Sequence, residues 1–246
     1  MSNEVVVEFK HFQKRFGTKL VHKDVSFQIR KGECLGLLGG SGAGKSVILR
    51  SLIGLEKPDS GQVLVDGDDI TQMNEQELIA IRKKVAYVFQ NGALFDSMSV
   101  YENLAYPLRA HTKFAEPQIR EEIRKMLEEF GLSGNEKVMP ANLSGGMQKR
   151  VGLARSIILQ PKVVLYDEPT AGLDPYNTIR IQEMILGLKA RGVTSIFVTH
   201  DMPSAFAVCD RIALLLEGKI AAIGTREELE GTPESKLNRF VRGMEL

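Results

Sequence analysis

The sequence of 246 residues has no tryptophan, only two cysteines and no long apolar run. Cys34 and Cys209 are too few for a disulfide framework, and each sits among apolar neighbours, so we expect reduced, buried thiols and a cytoplasmic location. The longest apolar runs, such as Ile212–Leu216, fit a single buried strand, whereas a membrane span needs roughly 18–20 residues. The charged alternation of Met1–Phe12 is not that of a signal peptide. If the protein works at a membrane, another chain must supply the span.

An excess of charge of either sign is also missing. Lys and Arg total 32 and Asp and Glu total 31, so the formal net charge is +1. Bulk electrostatics therefore provide no reason for the protein to bind nucleic acid or an acidic surface. Apolar residues make up 43% and charged residues 26%, which is a globular composition and excludes disordered and collagen-like chains. The length fits one large domain or two small ones.

The first third of the chain alternates between short strands and turns. Strand-like runs cover Val5–Phe9, Val25–Ile29, Gln62–Val65 and Glu33–Leu38, and the run at Glu33–Leu38 leads into a glycine-rich loop and then a helix from about Lys45. This order of strand, loop and helix is typical of the start of an α/β domain.

The rest of the chain adds a helical insertion and further strands. From about Asn91 to Gln160 the pattern is helical, and its clearest helix is Pro117–Phe130, where one apolar face has the period of ordinary core packing. The apolar runs Val163–Tyr166 and Thr194–Thr199 are typical of parallel strands buried on both sides. Residues 212–224 predict a hairpin. The pattern as a whole predicts an α/β fold with a helical insertion between two halves of one core.

The glycine-rich loop has the residues that bind phosphate. Gly39-Gly40-Ser41-Gly42-Ala43-Gly44-Lys45-Ser46 fits the pattern GxxxxGK[ST]. Its glycines let backbone N–H groups turn toward phosphate oxygens, Lys45 would neutralise the β- and γ-phosphates, and Ser46 would ligate Mg²⁺. The alternative is a glycine-rich turn without a ligand, but the position between a strand and a helix favours nucleotide binding.

Two further segments carry groups that act on a nucleotide. Asp167 and Glu168 end an apolar strand, and behind a phosphate loop such a pair holds Mg²⁺ and orients the attacking water. Ser144-Gly145-Gly146 places a capping side chain and exposed N–H donors at a helix start, which makes a second anion site. Taken alone, the first segment would be a solvated loop and the second a plain helix cap.

Together these segments resemble the ATP-binding-cassette (ABC) ATPases. Leu143-Ser144-Gly145-Gly146-Met147-Gln148 is similar to the LSGGQ signature of that family in a variant form, and the resemblance covers the whole chain. It implies a RecA-like P-loop fold, with an antiparallel β subdomain and an inserted helical subdomain. The expected single domain is 1–246, in which 1–90 and 161–246 form the catalytic core with the β subdomain and 91–160 form the helical signature subdomain.

The resemblance also implies roles for individual residues. Gln90 corresponds to the Q-loop, Ala171–Asp174 to the D-loop and His200 to the H-loop, and Phe16 occupies the place of an aromatic that stacks on adenine. His200 alone would be a structural residue, but its place after the Thr194–Thr199 strand matches the family's γ-phosphate switch. His11, His22 and His111 have no such context and are expected at the surface or in packing.

The implied reaction is ATP hydrolysis with Mg²⁺ between two copies packed head to tail. The expected catalytic residues are Glu168 as the water-polarising base, His200 and Gln90, and the expected metal ligands are Ser46, Gln90 and Asp167. The expected nucleotide contacts are Phe16, Gly39, Gly40, Ser41, Gly42, Ala43, Gly44, Lys45 and Ser46 from one copy and Ser144, Gly145, Gly146 and Asp174 from the signature side. In this arrangement the interface closes with ATP and reopens after hydrolysis.

The segment after Gln90 resembles a narrower group, the ATPases of Mla/Mce-type lipid transporters (the MlaF group). It contains Gly92-Ala93-Leu94-Phe95, then Met98, Val100-Tyr101-Glu102-Asn103 and Tyr106-Pro107-Leu108-Arg109-Ala110-His111-Thr112. Amphipathic packing accounts for part of this string but not for all of it. The resemblance implies phospholipid transport between inner and outer membranes, at the cytoplasmic face of the bacterial inner membrane. The implied partners are a MlaE-like permease and an MCE-domain (MlaD-like) protein, and in some such systems a STAS-domain (MlaB-like) subunit.

Three alternatives share the ATP site. They are a non-transport complex of the cell-division FtsE type, an importer of amino acids or metals, and a soluble cassette protein acting on DNA or ribosomes. Near-neutral charge and the single cassette argue against the last.

The sequence departs from the pattern of some family members at the end of the chain, where Leu246 follows soon after the predicted helix end at 240–243. Some family members have a longer tail that clasps the partner ATPase, so the sequence leaves open a tail-mediated contact and the way in which a STAS subunit would regulate the protein.

Overall fold

The computed structural model describes residues 3–230 and Arg239 and is built around one ten-stranded sheet with the order β5-β4-β1-β2-β10-β9-β3-β8-β7-β6. The strands are β1 (Val5–Phe16), β2 (Lys19–Arg30), β3 (Cys34–Leu38), β4 (Ser60–Val65), β5 (Asp68–Asp69), β6 (Val85–Val88), β7 (Val163–Asp167), β8 (Thr194–Val198), β9 (Arg211–Leu216) and β10 (Lys219–Thr225). The helices are α1 (Lys45–Ser51), α2 (Glu75–Lys84), α3 (Val100–His111), α4 (Glu116–Glu129), α5 (Gly145–Ile157), α6 (Pro175–Ala190), α7 (Met202–Val208) and α8 (Arg226–Glu230), with a 3₁₀ helix at Pro140–Asn142. The predicted α/β class, with a P-loop and an antiparallel portion, is confirmed.

The antiparallel half has longer strands than the sequence predicts. β1 and β2 are each twelve residues long and pair across a turn at Gly17, where the predicted strands ended at Phe9 and began at Val25. The register of β1 and β2 shifts at several points, among them between Phe9 and Phe12. Bulges of this kind interrupt the alternation of buried and exposed side chains while the strand continues, which is why the pattern alone predicts shorter strands.

The parallel half holds the carboxyl ends of the strands together. β3 pairs with β8 and β9, β8 pairs with β7, and β7 pairs with β6, all in parallel. The predicted strands at 163–166 and 194–199 match β7 and β8, and the predicted hairpin at 212–224 matches β9 and β10. Because parallel strands end at one edge, the loops after β3, β6, β7 and β8 meet there.

The helices between β6 and β7 pack against the parallel strands. The predicted helix at 117–130 is α4, which begins one residue earlier at Glu116 and is followed by Gly131 with φ of 60°. Ile119, Ile123 and Leu127 of α4 are buried in a cluster that also contains Val164 and Tyr166 of β7. The amphipathic face therefore anchors the insertion to the sheet, as its period predicts.

The predicted free thiols are confirmed, and the structure places them side by side. Cys34 is buried at the start of β3, Cys209 is largely buried after α7, and their sulfur atoms are 3.8 Å apart. Burial raises the pKa of the Cys209 thiol well above its ordinary value. The helix end expected at 240–243 lies outside the described residues.

Candidate nucleotide-binding site

A cleft of about 720 Å³ opens at the carboxyl ends of β3, β6, β7 and β8. The predicted site residues that line it are Phe16, Gly39, Ser41, Gly42, Gly44, Lys45, Ser46, Gln90, Asp167, Glu168 and His200. Gly40 and Ala43 belong to the same loop but do not line the cleft, and Ser144, Gly145, Gly146 and Asp174 lie elsewhere. A second cavity, of about 590 Å³, lies near the amino ends of β7 and β8 and contains none of the predicted site residues.

The loop from Gly39 to Gly44 needs glycine at two points of close approach. A Cβ atom on Gly39 would lie 2.6 Å from the Leu215 carbonyl oxygen. Gly44 has φ of 95° and precedes α1, and a Cβ there would lie 2.6 Å from Nε2 of His22. The loop therefore rests directly on β9 and β2, with the amino end of α1 behind it. This arrangement presents N–H groups and the positive end of the helix dipole to an anion.

Lys45 supplies the positive charge at this end of the cleft. Its Nζ atom donates hydrogen bonds to the carbonyl oxygens of Gly39, at 2.8 Å, and Gly40, at 3.1 Å. Burial lowers the pKa of Lys45, and the nearby carboxylates of Glu168 and Asp167 oppose that shift. The ammonium group therefore lies between the phosphate loop and two acidic side chains.

The carboxylate of Asp167 is held from two sides. The hydroxyl of Ser46 donates to Oδ1 at 3.3 Å, and the hydroxyl of Tyr87 donates to Oδ2 at 2.7 Å. Burial raises the pKa of Tyr87 well above its usual range, and the hydrogen bond to Asp167 adds to that shift. The phenol therefore stays protonated and acts as the donor of this hydrogen bond.

Glu168 and His200 contact each other at the ends of neighbouring strands. Nδ1 of His200 lies 2.6 Å from Oε2 of Glu168, and the His200 side chain is 72% exposed whereas that of Glu168 is 17% exposed. Glu168 has φ of 52°, in the left-handed region, and its N–H donates to the carbonyl oxygen of Val198. Strain of this kind at a non-glycine residue is typical of functional sites.

Gln90 and Phe16 reach the cleft from opposite sides. Gln90 follows β6 and is exposed, and Phe16 ends β1 with 42% of its surface exposed. Nζ of Lys14 lies 5.1 Å from the centre of the Phe16 ring. An exposed ring at the mouth of a cleft offers an apolar face on which a planar base can stack.

The signature residues form a second cluster with the D-loop. Ser144 caps α5 and its hydroxyl accepts from the N–H of Met147, while Asp174 caps α6 and accepts from the N–H of Asn177. The Asn177 side chain lies so close to Gly146 that a Cβ there would come within 2.3 Å of its Oδ1 atom. Two helix starts are thus packed together, outside the cleft of the same chain.

Four residues near these segments were not predicted from the sequence. Tyr87 holds Asp167, and Arg50 lines the cleft beside the phosphate loop. Lys149 of α5 donates to the carbonyl oxygen of Ala171, which joins the signature helix to the loop after Glu168. His22, expected either at the surface or in packing, is fully buried, and its Nε2 lies 3.2 Å from the Gly44 carbonyl oxygen beside the phosphate loop.

The residues predicted to hold Mg²⁺ provide oxygen ligands of the appropriate kind. Ser46 contributes a hydroxyl, Asp167 a carboxylate and Gln90 an amide, and all three side chains line one cleft. Oxygen donors of this kind, together with phosphate oxygens, suit Mg²⁺. In residues 3–230 and at Arg239, no group of three or more His, Cys, Asp or Glu side chains could hold a metal ion by itself. The donor set therefore fits a cation that is bound together with a nucleotide.

The fold and the cleft define a P-loop nucleotide-binding protein, and the comparisons with known proteins define its family. Residues 22–171 match the ABC transporter family. The "Probable ribonucleotide transport ATP-binding protein mkl" of Mycobacterium leprae is 42% identical over 97% of this chain and 69% of its own length. The "Intermembrane phospholipid transport system ATP-binding protein MlaF" of Escherichia coli is 37% identical over 93% of this chain and 85% of its own length.

Solved structures agree with this result. An ATP-binding cassette described as a dimer in a post-hydrolysis state bound to ADP and Pi has a TM-score of 0.82 at 29% identity, and the match covers 89% of this chain and 98% of that one. The cbiO1 subunit of Clostridium perfringens, part of the ABC transporter complex cbiONQ, has a TM-score of 0.85 at 28% identity, over 98% of this chain and 96% of that one.

The chain belongs to the ABC transporter family, as the ATP-binding subunit that hydrolyses ATP. The predicted resemblances to ABC ATPases and to the MlaF group are both confirmed, since MlaF proteins are 35–37% identical over 93–98% of the chain. Within the described part of the chain, no helix combines the length and the hydropathy that crossing a bilayer requires.

Proposed function

We propose that this chain hydrolyses ATP between two head-to-tail copies of itself and thereby drives phospholipid transport of the Mla/Mce type. In each site the N–H groups of residues 39–44 surround the phosphates, Lys45 neutralises their charge, and Phe16 stacks on the adenine. Ser46, Asp167 and Gln90 hold Mg²⁺, which when bound neutralises charge that develops on the phosphates. The division into a core of 1–90 and 161–246 and a helical subdomain of 91–160 belongs to this proposal.

Glu168 is the proposed base for the attacking water. Its carboxylate is the largely buried partner of a more exposed imidazole, with 2.6 Å between Oε2 of Glu168 and Nδ1 of His200. In hydrolysis the water oxygen attacks the γ-phosphorus, its proton passes to Glu168, and ADP leaves with the β–γ bridging oxygen. His200 holds the γ-phosphate.

A second copy of the chain completes the site. Ser144 and Gly145 are exposed at the start of α5, where the first N–H groups of a helix have no partner within the helix. These donors do not line the cleft of their own chain, so they are available to the γ-phosphate bound in a partner copy. Asp174 and Asn177 fix the adjoining helix start against Gly146 and so hold the donors in place.

The segment from 91 to 112, here called the docking segment, is the proposed contact with the permease. Asn103 is fully buried, accepts from the N–H of Phe95 and donates to the carbonyl oxygens of Phe95, Met98 and Ser99. Arg155 of α5 donates to Asn103 and to the carbonyl oxygen of Ala93, and lies over the Phe95 ring. The segment is therefore rigid on its inner side.

The outer side of the docking segment carries exposed aromatic rings. Phe95 and Tyr106 are 42% and 50% exposed and pack edge to face, and Phe114 just beyond is 46% exposed. Exposed aromatic rings on a fixed scaffold are typical of protein interfaces. This surface, together with the similarity to MlaF, is the observation that carries the lipid-transport proposal.

The proposed complex lies at the cytoplasmic face of the bacterial inner membrane. Its members are two copies of this chain, a MlaE-like permease and an MCE-domain (MlaD-like) protein, with a STAS-domain (MlaB-like) subunit as a further expected member. The test is to purify the chain from its native membrane in mild detergent and to identify the proteins that accompany it. A control preparation carries Phe95→Ser and Tyr106→Ser, which remove the exposed rings.

The outcomes of this purification separate the candidates. A MlaE-like permease and an MCE-domain protein that are lost in the double variant support lipid transport. A division-associated permease would move the function to the FtsE type, and a complex with an extracellular binding protein would indicate an importer. Either result would overturn the proposed cargo and leave the ATPase assignment intact.

A further inference from the structure

Tyr87 brings a hydroxyl to the carboxylate that precedes the catalytic glutamate. It lies on β6, which runs parallel to β7, and its backbone is paired with Leu165. From there its hydroxyl reaches the end of β7 and donates to Oδ2 of Asp167 at 2.7 Å. A hydrogen bond to a charged acceptor at this distance is among the stronger kinds in proteins.

The two oxygens of Asp167 have different partners as a result. Oδ2 accepts from Tyr87, and Oδ1 lies 3.3 Å from the hydroxyl of Ser46. A carboxylate can rotate about its terminal torsion, which has a broad and roughly two-fold energy profile. With Oδ2 hydrogen-bonded to Tyr87, the plane of the carboxylate is set and Oδ1 remains directed toward Ser46.

Tyr87 is itself held in place by its surroundings. Its ring stacks on Phe89, with 4.3 Å between the ring centres and 28° between the planes. Its carbonyl oxygen lies 3.2 Å from the hydroxyl of Ser156 on α5. Tyr87 therefore packs against the segment leading to Gln90 and against the signature helix. Its hydroxyl is held in place and can orient the Asp167 carboxylate.

We propose that Tyr87 is a positioning residue for the magnesium–nucleotide complex, which it serves by holding the Asp167 carboxylate with Oδ1 toward Ser46, another of the residues that would hold the cation. This inference rests on the proposed metal ligands and not on the identity of the cargo. It adds a supporting residue to the proposed site, since the orientation of a metal ligand by a neighbouring side chain is a general feature of metal binding. Tyr87 acts through Asp167 and has no assigned contact with ATP.

The test compares ATP affinity with Mg²⁺ and with excess EDTA in the purified full chain, measured by calorimetry. Tyr87→Phe keeps the ring and its stacking and removes only the hydroxyl. We expect ATP affinity in Mg²⁺ to fall about tenfold, which is the effect of one hydrogen bond to a charged group, and affinity in EDTA to stay within about twofold. The concentration of Mg²⁺ giving half-maximal ATPase activity should rise by a similar factor.

Three further variants make the result specific. Tyr166→Phe removes a hydroxyl from the neighbouring strand, on the face packed into the helical cluster, and should leave both affinities unchanged. Ser46→Ala should weaken binding only in Mg²⁺, which verifies the metal site itself. Tyr87→Met removes the hydroxyl with a different apolar side chain and should reproduce the loss seen with Phe.

Three other outcomes would count against the proposed role of Tyr87 or of the metal ligands. Equal losses in Mg²⁺ and EDTA would make Tyr87 a structural residue, and unchanged Mg²⁺ dependence in Tyr87→Phe or Tyr87→Met would overturn the inference. A Ser46→Ala variant with normal Mg²⁺ dependence would refute the proposed metal ligands and the inference with them. Neither readout depends on the partner proteins, so a different permease would leave this result standing.

Discussion

Nδ1 of His200 lies 2.6 Å from Oε2 of Glu168, although the two residues belong to different strand ends and differ greatly in exposure. The contact joins the side chain expected to accept a proton from water to the side chain expected to hold the γ-phosphate. Glu168 enters this contact from a left-handed backbone conformation that is anchored by its N–H bond to Val198. The backbone, and not only the side chains, therefore orients the pair.

Replacing Glu168 with Gln should reduce ATP hydrolysis by at least about 100-fold, because the amide cannot accept the proton of the attacking water. ATP binding should persist, so the variant should accumulate as an ATP-bound dimer, detectable by light scattering coupled to size exclusion. Glu217→Gln is a matched control, since Glu217 also has positive φ but lies in the exposed turn between β9 and β10. Normal hydrolysis in the Glu168 variant would show that another group is the base.

Lys45→Ala should abolish ATPase activity and leave the fold intact. The ammonium group lies between the phosphate loop and the carboxylates of Asp167 and Glu168, and its removal takes away a positive charge that would neutralise the phosphates. The measurement is steady-state phosphate release together with circular dichroism and thermal melting. Lys83→Ala, on the exposed side of α2, should retain full turnover. Unchanged turnover in the Lys45 variant would refute the phosphate-loop assignment.

His22 should make stability depend on pH. Burial lowers its pKa from 6.5 to about 4. Between these values the unfolded chain binds a proton that the folded chain does not, so the free energy of unfolding rises with pH across this window and then levels off. The gain in the free energy of unfolding is about 3 kcal/mol, present in full above pH 6.5 and lost below pH 4.

Urea denaturation at several pH values measures this effect as the difference in the free energy of unfolding between the wild-type chain and His22→Gln. The variant keeps an N–H donor for the Gly44 carbonyl oxygen but does not titrate. His111→Gln, at an exposed histidine, is the matched control for the substitution itself. A flat difference curve for His22→Gln would mean that the buried imidazole is protonated in the folded chain.

Replacing Gly152 with Ala should destabilise the fold more than replacing another helical glycine, Gly187. A Cβ on Gly152 would lie 2.6 Å from Cα of Gly92, so the backbones of α5 and the docking segment are in direct contact at this point. Gly152→Ala should lower the free energy of unfolding by about 1–3 kcal/mol, as overpacking does. Gly187→Ala in α6 meets no atom within 4 Å and should be neutral or stabilising by up to about 1 kcal/mol. Equal effects of the two substitutions in urea denaturation would show that the contact is loose.

The sequence by itself determined the local segments that carry chemistry. The phosphate loop, the Asp167-Glu168 pair and the signature are each a contiguous run, so the types and spacing of their residues could be recognised together without knowledge of the fold. The buried strands β7 and β8 and the helix α4 were predictable for a similar reason, because burial on both sides and a helical period appear directly in the residue pattern.

The tertiary structure alone decided which distant residues support those segments. Tyr87 lies 80 positions before Asp167, and its hydroxyl meets the carboxylate because β6 is placed beside β7. His22 lies beneath Gly44 because β2 passes under the phosphate loop. Strand order and register set these contacts. They depend on the packing of the whole sheet, which no local pattern of residues records.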